Sequence, residues 1–115
     1  MNTRSSKNKG QRLQKEVVTT LRNKYGYDKG LTDFEGDIQA NPMGNSGVDI
    51  KLSPTANKTI PFDIECKNTE KASVWQWIKQ AETNTKPGRV PLVVFRRNRS
   101  KTYAIIDFER LLNLI

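Results

Sequence analysis

Residues 47–67 read GVDIKLSPTANKTIPFDIECK, and this stretch decides the fold. Apolar and polar residues alternate in its two halves, first over residues 48–53 and then over residues 60–67. Such alternation is typical of half-buried β-strands. The segment between them is rich in turn formers, so we expect a β-hairpin that turns near Asn57.

This hairpin would place three charged side chains on one face. Its register sets Asp49 opposite Glu65 and Lys51 opposite Asp63, while Lys67 follows Glu65 by two residues. Opposed Cβ atoms lie about 4.5–5.5 Å apart, where two carboxylates repel each other. A hard divalent cation would reverse that repulsion, because Mg²⁺ prefers oxygen ligands. The pattern predicts a metal site that hydrolyses phosphodiesters, with Lys67 orienting water; the alternative is a solvated charged face.

Composition narrows the chemistry. The 115 residues are enough for one domain with a modest core. Because the chain has no histidine and one cysteine, it can form neither a Ser-His-Asp or Cys-His nucleophile nor an ordinary zinc site. Cys66 falls in the apolar register, so we expect it to pack in the core. A single cysteine, a polar N-terminus and no long apolar run predict a cytoplasmic protein without a membrane span.

The net charge of +8 is unevenly distributed along the chain. Residues 1–29 carry eight basic residues against two acidic ones, and residues 86–101 carry six basic residues and no acidic one. The acidic residues are concentrated between these segments, around the predicted site. Nucleic acid is the partner that this distribution favours. Plain solubility charge and an anionic protein or membrane surface are the alternatives.

Further patterns predict the remaining elements and three more site residues. Gln14 is the polar residue inside the apolar arc of the first helix, Ser46 lies in a glycine-rich loop before Asp49, and Gln80 lies on the helix after Lys67. Trp75 is expected to be partly buried in the core; the alternatives are that it stacks on a base or joins a subunit interface. The predicted elements are a flexible basic arm over residues 1–8, helices over 9–25 and 72–83, strands over 90–95 and 102–106, and a short terminal helix. This order favours one layered α/β domain over residues 9–115, with the strand after the second helix pairing in parallel.

Asp49 followed by Glu65-Cys66-Lys67 resembles the signature of the PD-(D/E)XK nucleases. Residues 9–14 (KGQRLQ) and 44–49 (GNSGVD) are similar to segments of small archaeal-type Holliday junction resolvases and of phage nucleases like them. The phage nucleases also share the strand IECKN at residues 64–68. The resemblance covers roughly residues 9–106.

The resemblance implies a restriction-endonuclease-like αβββαβ core, with a central mixed sheet flanked by helices. It also implies that Asp49, Glu65 and the Cys66 carbonyl bind Mg²⁺ or Mn²⁺ and that Lys67 activates water. The chain departs from the resolvases at Gln14, where they place a glutamate. Ser46, Gln14 and Gln80 are the remaining candidate catalytic residues.

The resulting expectation is a metal-dependent DNA endonuclease, structure-selective and homodimeric, acting on branched or duplex DNA in the host cytoplasm if it is phage-encoded. The alternatives are a non-catalytic nucleic-acid-binding module, a nicking or flap-type nuclease, and an RNase H-like nuclease that needs no lysine. The candidate DNA-binding residues are the basic ones of the two flanking segments: Arg4, Lys7, Lys9, Arg12, Arg96, Arg97, Arg99 and Lys101.

Overall fold

The computed structural model describes the backbone of residues 3–42 and 44–115, and the side chains of residues 8–42 and 44–115. Four helices and five strands follow one another in this part of the chain. They are α1 (Thr3–Tyr25), β1 (Ile38–Ala40), β2 (Ile50–Leu52), α2 (Pro54–Thr59), β3 (Phe62–Asn68), α3 (Val74–Asn84), β4 (Val90–Arg96), β5 (Tyr103–Ile106) and α4 (Phe108–Leu114). None of these helices is both long enough and apolar enough to cross a bilayer.

The central layer is a three-stranded mixed sheet with the order β3-β4-β5. β3 and β4 are parallel, as expected for strands joined through a helix, and β5 returns antiparallel to β4. Both α1 and α3 contact β3. The fold is therefore the mixed α/β type that the resemblance implied, compatible with a restriction-endonuclease-like core.

The predicted hairpin is wrong. β2 pairs antiparallel with β1, with Ala40 opposite Ile50, and these strands form a separate two-stranded sheet. The segment read as a turn is the helix α2, because Ser53 caps it by accepting the Ala56 N–H at 3.1 Å and Pro54 occupies its first turn. Serine followed by proline favours a helix start as well as a turn, and here the helix forms.

Because the hairpin does not form, the residue pairs that its register predicted do not form either. Asp63 pairs with Arg89 instead of Lys51, at 3.0 Å between Oδ1 and Nε. The Arg89 guanidinium also donates to the carbonyls of Asn57 and Phe62, at 2.8 and 2.9 Å. This buried pair therefore joins α2, β3 and the start of β4.

β3 is also more deeply buried than a half-buried strand. Asp63 and Glu65 are buried on one side, and Ile64 and Cys66 on the other, because helices cover both faces of the strand. Cys66 belongs to the main apolar core, as predicted, and burial raises the pKa of its thiol.

The first helix begins at Thr3 and not at Lys9, so most of the expected arm is helical. Its end was predicted correctly: the helix stops at Tyr25, and Gly26 has a φ of +78° and donates to the Arg22 carbonyl at 2.8 Å. The apolar arc of this helix, with Leu13 and Val18 fully buried, packs against β1 and β3.

A buried arginine organises the segment that follows α1. The Arg22 guanidinium donates to four main-chain carbonyls at 2.6–3.1 Å and lies 3.3 Å from an Asp28 carboxylate oxygen. Burial alone would raise the pKa of Asp28, but hydrogen bonds from the amides of Asp37 and Ile38 and the charge of Arg22 together lower it. Gly36 has a φ of +89°, and a side chain there would collide with the Asp28 carboxylate. The loop thus has one well-defined conformation without regular structure of its own.

Candidate active site

Asp49 lies just before β2 and is bound to the edge of β3. Its amide donates to the Ile64 carbonyl at 3.0 Å, and its Oδ2 accepts the Cys66 N–H at 2.7 Å. Its own carbonyl accepts the Asn41 amide at 2.7 Å. Asp49 is thereby fixed beside the strand that carries the other two charged residues, although no hairpin pairs the two segments.

Glu65 meets Asp49 at this edge. Its side chain is only 1% exposed, and its Oε1 accepts the Asn84 amide at 2.8 Å. Burial raises the pKa of Glu65 from 4.5 to about 7; the Asn84 hydrogen bond lowers it, and the adjacent Asp49 carboxylate raises it through both charge and hydrogen bonding. The two acids therefore lie beside each other at the edge of β3, and their proximity is one cause of the raised pKa of Glu65.

Lys67 occupies the same face of β3, one pleat beyond Glu65. Its Nζ donates to the Gln80 Oε1 at 2.7 Å, so Gln80 contacts Lys67 from α3. Gln80 and Asn84 lie four residues apart on one face of α3. Two side-chain amides of α3 thus hold two successive charged residues on this face of β3.

Asn84 was missed by sequence reasoning. It is the last residue of α3, where a polar side chain is ordinarily read as part of a helix end. The signal in the sequence was its spacing: residue 84 follows Gln80 by one helical turn, as residue 67 follows Glu65 by one pleat.

Gln14 is buried in α1, as predicted, and is 5% exposed. Its Oε1 has no hydrogen-bond partner within the described part of the chain, and Gln14 makes no hydrogen bond there to Asp49, Glu65 or Lys67. Glu16 points elsewhere and pairs with Arg96, so it does not substitute for an acid at position 14.

The donor set fits a hard divalent cation. The two adjacent carboxylates of Asp49 and Glu65 repel each other, and a cation would offset that repulsion. Oxygen donors of this kind are what Mg²⁺ and Mn²⁺ accept. The described residues contain no cluster of three or more histidine, cysteine, aspartate or glutamate side chains.

Ser46 lies in the wall of a groove of about 680 Å³ beside the acids. The side chain is exposed, and among the hydrogen bonds of the described residues it makes none to them. Asn41 holds the loop by donating to the carbonyls of Ser46 and Val48, at 3.1 and 2.9 Å. Asn84 lines the same groove, which therefore leads from the glycine loop to the residue that holds Glu65.

The predicted DNA-binding residues divide into three groups. Arg12, Arg97 and Arg99, together with the ion-paired Arg96, line a common depression of about 160 Å³, which joins the first helix to the basic turn after β4. Lys101 is exposed on that turn. Two others are engaged in ion pairs: Arg96 with Glu16, and Lys9, whose Nζ lies 3.9 Å from Glu70. The side chains of Arg4 and Lys7 lie outside the described residues.

Comparison with known proteins gives one match. The model of a family described as "Phage putative PDDEXK endonuclease" matches residues 5–115. Neither the curated proteins nor the solved structures yielded a match. The matched residues include Asp49, Glu65 and Lys67.

Proposed function

Because the chain belongs to the phage putative PDDEXK endonuclease family, we propose that it is a divalent-metal-dependent DNA endonuclease selective for branched DNA, as the Holliday junction resolvases are. One observation carries this proposal: Asp49 and Glu65 meet at the edge of β3 with Lys67 on the same face, each held by a specific hydrogen bond. A phage protein of this kind would act on DNA in the host cytoplasm.

In the proposed mechanism, Asp49 and Glu65 hold Mg²⁺ or Mn²⁺, with the Cys66 carbonyl as a third ligand. When bound there, such an ion would lower the pKa of a coordinated water molecule and would neutralise charge that develops on the phosphate. Lys67 orients the attacking water and faces the phosphate, and Gln80 fixes the direction of its ammonium. Asn84 restrains Oε1 of Glu65, so that the carboxylate has one orientation when the substrate arrives.

Substrate binding relies on the exposed basic residues. Arg12, Arg97, Arg99 and Lys101 would bind backbone phosphates, which position DNA without reading its sequence. Ser46 and the glycine loop would approach the strand that lies in the adjacent groove, since Gly44 and Gly47 both have positive φ and open space where a side chain would be. Resolution of a four-way junction takes two symmetric incisions, so the proposal includes a homodimer.

The replacement Asp49→Asn tests the site. The asparagine oxygen can still accept the Cys66 N–H, so the fold should persist while the charge that attracts the cation is removed. We expect cleavage in Mg²⁺ to be abolished and DNA binding in Ca²⁺ to be unchanged. Asp33→Asn, on the loop held by Arg22, is the matched control and should cleave as the unmodified chain does.

A panel of substrates tests the selectivity: a four-way junction, a flap, a single strand and a plain duplex, each with Mg²⁺. Preferential paired cleavage of the junction supports the proposal. Equal cleavage of all duplex substrates would restrict the proposed function to that of a general or nicking endonuclease. Undiminished cleavage by Asp49→Asn would overturn the assignment of the active site.

A further inference from the structure

The terminal helix α4 packs against very little of its own chain. None of its residues is buried, although four of them are large and apolar: Phe108, Leu111, Leu112 and Leu114. Among the described residues, its side-chain hydrogen bond to the rest of the fold is from Arg110 to the Arg89 carbonyl, at 3.2 Å. A helix of seven residues is marginal in water without packing of an apolar face. The apolar side chains of α4 are therefore typical of a helix that packs on another surface, but within this chain they remain partly or largely exposed.

An apolar groove lies next to this helix. It has a volume of about 420 Å³, and its walls come from α3, β4 and β5, ending at Asp107 where α4 begins. Trp75 stands at its rim and is 82% exposed, so the expectation of a partly buried tryptophan is wrong. Trp77, two residues further along α3, is buried and packs on Phe95, with ring centroids 5.6 Å apart. The apolar lining includes Trp75, Ile78, Ala81, Pro91, Val93 and Ile105.

The apolar area that Trp75 and α4 expose is comparable to the apolar area that each partner of a stable dimer buries. Phe108 is 71% exposed and Ile115 90% exposed, beside the partly exposed leucines of α4. With about 150–250 Å² for an aromatic side chain and about 60–120 Å² for an aliphatic one, Trp75 and the α4 residues expose roughly 350–650 Å². A standard interface buries about 800 Å² per partner, of which about 56–65% is apolar, or roughly 450–520 Å².

Shape and charge indicate which partner fits. The groove ends at Asp107, and the exposed Phe108 follows it directly in the chain. A two-fold symmetric interface uses the same surface of both copies, so this groove and the adjacent helix can each meet the other's counterpart. The charged residues around this face are of both signs, with Lys79 and Arg110 against Glu82, Asp107 and Glu109. The candidate DNA-binding turn, by contrast, is basic only. A mixed, self-complementary rim favours a second protein surface of the same kind over nucleic acid.

We propose that a second copy of this chain covers this face, with α4 of each protomer seated against the Trp75 groove of the other. This deepens the proposed function, because a symmetric pair brings two cleavage sites to one junction. It depends on the packing of α4 alone, however, and sedimentation tests it without any cleavage assay.

The test is sedimentation velocity of the whole chain and of the double variant Phe108→Asp/Leu112→Asp at micromolar concentrations. We expect twice the 13.1 kDa chain mass for the unmodified protein and the monomer mass for the variant. Dimer affinity should fall by at least about tenfold, as expected when central apolar side chains of an interface are replaced. Because neither residue is buried within the chain, the variant should fold, and its thermal unfolding checks this.

Leu31→Asp is the matched control, since Leu31 is an exposed apolar residue on the loop held by Arg22. It should remain dimeric. Trp75→Ala is a second, independent variant and should weaken the dimer as the double variant does. A monomeric unmodified chain, or a double variant that stays dimeric, would overturn the proposal. So would equal dissociation in Leu31→Asp.

Discussion

The burial of Glu65 leads to a pH effect that can be measured without DNA or metal. Its pKa rises from 4.5 to about 7 on folding, so the folded chain binds this proton more tightly than the unfolded chain does. The free energy of unfolding should then be highest below about pH 4.5 with respect to this group and should fall as the pH rises through about 7. At about 1.36 kcal/mol per pH unit, the full decrease is about 3 kcal/mol.

The replacement Glu65→Gln isolates this effect. The amide keeps the size of the side chain and carries no charge, so the variant should be more stable than the unmodified chain at pH 8 by up to about 3 kcal/mol, and similar to it below about pH 5. Because the chain has no histidine, no other side chain type has its usual pKa in this range.

Urea denaturation in EDTA at a series of pH values measures both curves. Glu82→Gln, at an exposed position on α3, is the control and should follow the unmodified chain. Adding Mn²⁺ at pH 8 should restore stability to the unmodified chain and have little effect on Glu65→Gln, since an ion that binds only the folded state stabilises it. Equal pH dependence in the unmodified chain and Glu65→Gln would refute the assignment of this proton to Glu65.

Three further outcomes are expected. Arg22→Met leaves four carbonyls without their donor, so chemical denaturation should show a decrease in stability of about 3–5 kcal/mol; a decrease below about 1 kcal/mol would contradict the role of this guanidinium. Asn84→Ala should weaken Mn²⁺ binding, measured by titration calorimetry, by about 10–100-fold with the fold intact, and unchanged affinity would show that Asn84 does not position Glu65. Arg97→Ala/Arg99→Ala should lower the salt dependence of duplex binding by about 0.9 in slope for each DNA phosphate that is no longer neutralised, whereas an unchanged slope would remove this turn from the DNA interface.

Alternation was sufficient to predict that Glu65 and Lys67 share one face of β3, whereas Asp49 was placed beside them through a hairpin that does not form. Alternation in β3 places Glu65 and Lys67 on one face whatever the neighbouring strand is. Asp49 reaches the same place by another route, through its hydrogen bonds to the Ile64 carbonyl and the Cys66 amide. Helical periodicity also predicted that Gln14 faces inward and that Gln80 faces the strand carrying Lys67.

The pairing of β2 could not be predicted from local pattern. Strand pairing depends on contacts distant in sequence, and β1 has only three residues, too few for a strong signal. The segment after Ser53 also permits both a turn and a short helix, and tertiary packing selects the helix. Trp75 was misjudged because periodicity places a side chain on a helix face but does not show whether anything covers that face.

The bond between Asp49 and the Cys66 amide has a consequence for how such proteins lose activity. Because Asp49 satisfies a main-chain donor of a buried strand, a descendant that no longer cuts DNA would still be selected to keep an acceptor there. Lys67 has no comparable structural role, since among the described residues its ammonium donates to the exposed Gln80 amide of α3. When genomes are surveyed for degenerate copies, loss of the lysine should therefore identify the inactive ones earlier than loss of the aspartate.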